Sequence, residues 1–455
     1  MRSWLLPTSL LIFLAVLGFM AGKALKEPRG IGPRATLSVQ EFMGGTSSEG
    51  FQRAFEPREF RFPRDHGPHP GFRTEWWYVT GNLEGARGEP YGFQLTLFRS
   101  ALAPADAVGD DAAEDDAAKT DAVGDDAAGD DAVEDDVAED AAAGADGAEK
   151  DTPASDWRTR QLYMGHFAVT HGGDGRHMAF ERFARGAVGL AGAQADPFRV
   201  WVGGWELRGP VEGGDEVEGG GIFPLTLLAR EGGLSLELSL NPEKPLILQG
   251  REGLSQKGPE PGNASFYYSF TRLSASGALV MSGDSVPVTG TAWMDREWST
   301  SALSPGQVGW DWFALQLDDG HDLMYYQLRR GDGTADPLSK GVWVDARGAK
   351  RSLSRPHVEL EVLDHWISSL DSARYPSAWR LSVPSLELIL EIRPVVPDQE
   401  MELAFRYWEG AVRVEGVRGG KPVRGVGYVE LTGYAESGAA VTGGRRITRT
   451  GGAGS

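Results

Sequence analysis

The chain has 455 residues, no cysteine and a formal net charge of −20. Without cysteine there is no disulfide framework, thiol nucleophile, cysteine-based zinc site or lipid-modified N-terminal cysteine. The acidic excess argues against a basic nucleic-acid-binding surface, so no nucleic-acid partner is expected.

The first element in chain order is apolar. Trp4 to Gly22 runs 19 residues without a charge, near the length that spans a bilayer. It reads as a signal peptide or an uncleaved membrane anchor over residues 1–25, and either predicts export to the periplasm or cell envelope. Gly22-Lys23-Ala24 is a poor small-x-small cleavage site, and Lys23, Lys26 and Arg29 follow it. That flank weakens the case for simple export and leaves anchoring open. Residues 26–50 read as a linker.

The next stretch, Phe62 to Tyr78, joins a Pro/Gly-rich loop to a strand entry. His66 and His69 are three apart, but Gly67 and Pro68 prevent the helix that would align them, and no third ligand is apparent. No metal is expected. His66, His69 and Glu75, with Trp76 beside them, either face a ligand cavity or form a structural hydrogen-bond network.

Beyond this loop the periodicity is overwhelmingly two. Tyr91–Phe98, Leu162–Thr170, Leu234–Leu240, His357–Leu363, Leu386–Leu390 and Val423–Leu431 read as strands. The first two flank an acidic insert. Asp106 to Asp151 carries −17 of the −20, and DAVGDDAA occurs twice in it. With no aromatic residue and only small apolar ones, it cannot offset its ordering entropy and reads as a disordered loop over 103–156. It also lacks the fixed spacing and turn glycine of a calcium loop. Breakers and charges between Gly250 and Gly262 suggest a domain boundary, and Asp364–Leu370 suggests a short helix. The architecture expected is all-β and antiparallel, as sandwiches or closed barrels.

The densest chemical stretch is Thr291 to Ser299, TAWMDREWS. An extended chain puts Trp293, Asp295 and Glu297 on one side and Arg296 and Trp298 on the other. Two carboxylates roughly 7 Å apart beside an indole suit acid/base work. An aspartate among apolar rings has a raised pKa and can donate a proton near neutrality. The plainer alternative pairs Arg296 with a nearby carboxylate and buries the tryptophans. The hairpin after it is Trp310–Leu317 with Asp322–Arg329, joined at Asp319-Gly320. A two-residue type I′ loop pairs Trp312 with Gln327, Ala314 with Tyr325 and Gln316 with Leu323. One face then carries Trp312, Tyr325 and Gln316, as ligand-cavity linings and ordinary solvent faces both can. No nucleophile elbow, P-loop or dinucleotide fingerprint occurs, so no cofactor is expected.

Several ordered motifs carry a resemblance. FPRDHGPHPGFRTEWWYVTGNL (62–83), YGFQLTLFR (91–99), GTAWMDREWSTS (290–301), GWDWFALQLDDG (309–320) and GYVELTGY (427–434) resemble the AttH/carotenoid 1,2-hydratase (CrtC-like) family from about Phe51 to Tyr434. The resemblance implies two tandem lipocalin-like antiparallel β-barrel domains, at 51–255 and 262–440, with a tail over 441–455. It implies an exported protein that binds a hydrophobic, lipid- or isoprenoid-like ligand, with an ABC transporter permease as a candidate partner. The alternative it implies is a hydro-lyase or hydrolase-like enzyme that protonates and hydrates a C=C bond. On that alternative Asp295 is the proton donor and Glu297 the second, water-orienting carboxylate. Trp298, Trp312 and Tyr325 are cavity aromatics. The motif centre here is Asp295-Arg296-Glu297, where relatives are expected to carry a histidine in the middle.

Deleting Asp106–Asp151 and closing the gap with a short turn is expected to leave folding and ligand binding intact. Loss of a cooperative thermal transition in the deletion variant would show the insert to be part of the fold.

Overall fold

The computed structural model describes residues 48–104, 159–210, 221–301 and 303–435. The N-terminal apolar segment, nearly all of the linker and of the acidic insert, and the C-terminal tail lie outside the described residues.

Among the described residues, all regular structure of any length is strand. The first sheet takes β1 (Thr74–Gly85), β2 (Pro90–Ala101), β3 (Gln161–His171), β4 (Arg176–Arg185), β5 (Ala191–Ala195), β6 (Phe198–Val202), β7 (Trp205–Arg208), β8 (Leu225–Glu231), β9 (Leu234–Pro242), β10 (Ile247–Leu248), β11 (Leu254–Gln256), β12 (Ala264–Met281) and β13 (Asp284–Ser299). The second takes β14 (Gln307–Leu317), β15 (Asp322–Arg330), β16 (Lys340–Val344), β17 (Lys350–Ser354), β18 (Glu359–Ile367), β19 (Arg374–Val383), β20 (Leu388–Pro394), β21 (Glu400–Glu402), β22 (Arg406–Arg418) and β23 (Lys421–Leu431). Their orders are β4-β3-β2-β1-β13-β12-β9-β8-β7-β6-β5 and β17-β16-β15-β14-β23-β22-β20-β19-β18, with β10, β11 and β21 as side pairings. Both sheets are antiparallel, and each curls around its own apolar core in the manner of tandem lipocalin-like barrels. Alternation drives this. In β9 the leucines at 234, 236, 238 and 240 are buried, while Glu237 between them is exposed. In the first barrel, Trp205 of β7 reaches across to Phe167 of β3, ring centroids 5.7 Å apart.

Three expectations need correction. The chain changes sheets between Ser299 and Gln307, not at 250–262, because β12 and β13 are central strands of the first sheet. Asp364–Leu370 is not helical: β18 continues to Ile367, with Trp366 opposite Tyr375. The hairpin loop is one residue longer than a type I′ turn. Leu317 N–H donates to the His321 carbonyl (2.8 Å), and Gly320 sits at φ +83° at the end of a three-residue loop. Trp312 therefore opposes Tyr326, and Phe313 opposes Tyr325. A shift of one residue exchanges the faces of the returning strand.

Inside the first barrel a charged network replaces part of the apolar filling. Glu75 (β1), Arg99 (β2) and Arg296 (β13) point into it, fully or almost fully buried. Each arginine binds one oxygen of Glu75, and the His69 backbone N–H reaches both oxygens at 3.0 and 3.1 Å. Arg99 also donates to the carbonyls of His69 (2.9 Å) and Phe72 (2.7 Å). Arg296 donates to the Gly67 carbonyl at 2.7 Å and lies 3.9 Å from the Trp77 ring centre. Burial alone would raise the Glu75 pKa; Arg99 and Arg296 outweigh it and hold the carboxylate well below its usual range. The loop over residues 62–73 is thus tied onto the barrel.

The two sheets are pinned face to face. Asp322 accepts from Lys244 and Arg272, each at 2.7 Å, and from Thr271 at 2.8 Å. Asn82 donates to the Gly427 carbonyl at 2.9 Å. At Gly92 of β2 a Cβ would fall 2.4 Å from the Ala411 Cβ of β22, so the sheets approach more closely than any side chain there permits.

Replacing Glu75 by Gln leaves two guanidiniums buried against a neutral partner. The expected cost is about 3–5 kcal/mol in urea unfolding. A change under about 1 kcal/mol would show that the network relaxes around the loss.

Candidate active site

Fixing Arg296 inside the first barrel aims its neighbours the other way. Trp293, Asp295, Glu297 and Ser299 emerge on the opposite face of β13, level with Tyr78 and Trp76 of β1 and Tyr267 and Ser269 of β12. That face meets one face of β14, β22 and β23. Between them lies a cavity of about 130 Å³, lined by residues of both sheets.

Asp295 is buried and accepts three hydrogen bonds: from Tyr267 Oη (2.6 Å), Ser269 Oγ (2.5 Å) and Trp293 Nε1 (2.7 Å). Burial pushes its carboxyl up to about 7; the three donors pull the other way, and Glu297 adds to the rise. Burial wins because the site is walled by rings and excludes the water that would solvate the anion. Glu297 accepts from Ser265 and is ion-paired to Lys257 at 2.9 Å. The Lys257 ammonium lies 4.5 Å from the Tyr326 ring centre and 5.4 Å from that of Tyr267. Desolvation lowers the Lys257 pKa, but Glu297 with its neighbours outweighs it and the net shift is upward.

The second sheet supplies rings and two more acids. Trp312 donates to Tyr267 Oη at 3.3 Å, and its ring meets Tyr78 edge-on at 5.3 Å. Trp310 Nε1 donates to Glu430 at 3.0 Å. Glu409 of β22 stands directly opposite Glu430 of β23. Burial raises both carboxyls, and their mutual repulsion raises Glu409 further.

Of the residues anticipated from sequence, Trp76, Asp295, Glu297 and Trp312 line this cavity. Others do not. His66 is buried in the first barrel with Nδ1 2.6 Å from Tyr268 Oη. His69 stacks on Trp298 at 3.8 Å and contacts Glu75, so these three belong to the structural network. Tyr325 packs in the second barrel's core, and Tyr326 takes the cavity position, as the longer hairpin loop dictates. Gln316 bridges the sheets instead, donating to the carbonyls of Thr271 (2.8 Å) and Ala292 (2.9 Å). Arg296, at the motif centre, points away from the cavity into the first-barrel network. Sequence reasoning missed Lys257, Tyr267, Glu409 and Glu430. An isolated Glu inside the apolar runs RYWEG and GYVEL was the available signal for the last two. Among the described residues no group of three or more His, Asp or Glu is placed to hold a metal.

A family model described as AttH-like matches residues 53–151 and 141–434. The crystal structure of a protein provisionally named AttH, from Nitrosomonas europaea, is 32% identical with a TM-score of 0.65, over 84% of this chain and 99% of that one. The crystal structure of kievitone hydratase from Nectria haematococca shares the fold, at 13% identity and a TM-score of 0.56 over 84% of this chain and 96% of that one. Dehydratase asqC of Emericella nidulans is 25% identical over 201 residues, or 41% of this chain. That match spans 55% of the relative's length.

Asp295 titrates near 7 in the folded protein against a usual value of 3.8. Its protonation therefore favours the native state, an advantage complete below about pH 4 and lost as the pH rises through about 7. Urea unfolding of Asp295→Asn across this range is expected to show a smaller fall in stability than the native chain. Parallel pH profiles would place the Asp295 pKa at its ordinary value.

Proposed function

The chain belongs to the AttH-like family, and on that premise we propose that it is a hydro-lyase, adding water to or removing it from a carbon–carbon bond of a hydrophobic ligand held between its two sheets. The observation that carries this reading is Asp295: a buried carboxyl, poised to hold a proton near neutrality, facing an aromatic cavity. Two relatives add support, one named a hydratase and one a dehydratase, names for the two directions of one reaction class.

In the hydration direction, Asp295 gives its proton to one alkene carbon and becomes a carboxylate. The cation left on the adjacent carbon lies among the indoles of Trp76, Trp310 and Trp312, whose electron-rich rings stabilise it. Water bonds to that carbon, and its surplus proton passes to Glu297, which Lys257 and Ser265 hold in place. Dehydration runs the same steps backward, with Asp295 taking up the proton again. The walls matter as much as the acid. In a dry site the charge on Asp295 and the charge on the ligand interact far more strongly than in water.

The test uses acyclic isoprenoids and enones in ¹⁸O-labelled water, with mass spectrometry of the product. Native protein is expected to yield labelled alcohol, with turnover falling as the pH rises through about 7 because the acid must be protonated. Asp295→Asn is expected to lose about 10²–10⁴-fold in turnover while tryptophan fluorescence still reports ligand binding. Full turnover in this variant would remove Asp295 from the mechanism. Ligand binding without labelled product would leave a carrier of hydrophobic ligands.

A further inference from the structure

The hydro-lyase reading uses Asp295 and Glu297 and leaves two acids of the same cavity without a task. Glu409 and Glu430 face each other across β22 and β23. Like charges directly opposed in a sheet destabilise it. Glu409 is 1% exposed, and neither of its carboxylate oxygens has a hydrogen-bond partner of regular geometry. Tyr78, Tyr407 and Gln94 are its polar neighbours.

More unsatisfied polar atoms gather there. The hydroxyls of Tyr78 and Tyr428 and the side-chain carbonyl of Gln94 are buried and likewise unpartnered. One N–H of the Gln94 amide goes to Thr96 Oγ1 at 2.7 Å. The hydroxyls of Tyr78 and Tyr407 and the Gln94 amide can each give Glu409 a neutral hydrogen bond, but none carries a charge to offset the second carboxylate opposite it. What the facing pair lacks is a cation.

The charge balance says what kind. Asp295, Glu297, Glu409 and Glu430 all line the cavity, and Lys257 is the one cation among its described lining residues. Lys257 is already committed to Glu297 at 2.9 Å. Its surroundings also show what this cavity does with an ammonium: one carboxylate at contact distance and two tyrosine rings within 5.4 Å. Glu409 and Glu430 repeat those materials with Tyr407 and Trp310 beside them. A group of three or more carboxylates or imidazoles arranged around a metal is absent among the described residues, and rings suit an organic cation better than a hydrated ion.

We propose that Glu409 and Glu430 form a subsite for a protonated amine, so that the ligand of this cavity is a hydrophobic molecule bearing an ammonium group. This rests on the cavity being the ligand site, as in the hydro-lyase reading. The amine nitrogen donates to Glu409, with Glu430 as the second counter-charge, and the hydrocarbon extends toward Asp295 and the indoles.

The probes are hexylammonium and 1-hexanol, matched in chain and different in headgroup. Each is titrated at pH 8 into the full chain while the indole N–H resonances of Trp310 and Trp312 are followed by NMR. Hexylammonium is expected to bind about tenfold or more tightly than 1-hexanol, the margin of a charge-assisted hydrogen bond. Glu409→Gln and Glu430→Gln are each expected to erase that margin and leave 1-hexanol binding unchanged. Equal affinities in the native chain, a comparison that needs no variant to fold, overturn the amine subsite and leave the hydrophobic site standing. Indoles that respond to neither probe overturn the cavity as a ligand site, and the subsite with it.

Discussion

Deep in the first barrel the guanidiniums of Arg99 and Arg296 close on the carboxylate of Glu75. Charges are buried at such depth only when each is paired and its remaining donors are satisfied. Here the loop over residues 62–73 meets most of that demand with the carbonyls of Gly67, His69 and Phe72, and Arg296 Nε is left over. The network joins β1, β2 and β13 to the loop, so it sets the position of three adjacent strands at once. It also sets what lies on their other side. Side chains alternate along a strand, and with Arg296 turned inward, Asp295 and Glu297 turn outward. A slip of one residue would put an arginine in the cavity and two acids in the core.

The cavity is a product of two sheets and complete in neither. The first supplies Asp295, Glu297 and Tyr267; the second supplies Trp310, Trp312, Glu409 and Glu430. Contacts outside the cavity hold the halves in alignment: Asp322 with Lys244 and Arg272, Gln316 with two carbonyls of the first sheet, Asn82 with Gly427. These are polar bonds at fixed geometry, and they spare the cavity from having to hold itself together. Its own residues can then stay partly unsatisfied, which is the condition for binding something.

Much of this was legible in the chain. Period-two alternation reports strands because one face is buried, and TAWMDREWS reported which residues share a face because alternation alone decides it. The loop histidines were ambiguous for a physical reason: a polar loop over a barrel end and a polar loop at a cavity mouth have the same composition. His66, His69 and Glu75 went to the structural network. The hairpin register failed by one residue because Asp-Gly suits two turn lengths, and the sequence DDG closed the longer one. That single residue exchanged Tyr325 for Tyr326 in the cavity. Breakers at 250–262 mark a turn between strands of one sheet, which composition cannot distinguish from a turn between domains. The opposition of Glu409 and Glu430 needed the pairing of β22 with β23, which neither strand reveals alone.

The contact between Gly92 and Ala411 has a meaning beyond packing. With no side chain on one strand and a methyl group on the other, the backbones there are about as near as two facing sheets come. Spacing is set at that point, as a shim sets the gap between two plates. The height of the cavity is then governed by residues that never touch its contents. A methyl group added at Gly92 would force the sheets apart at the shim and leave every acid and every indole in place.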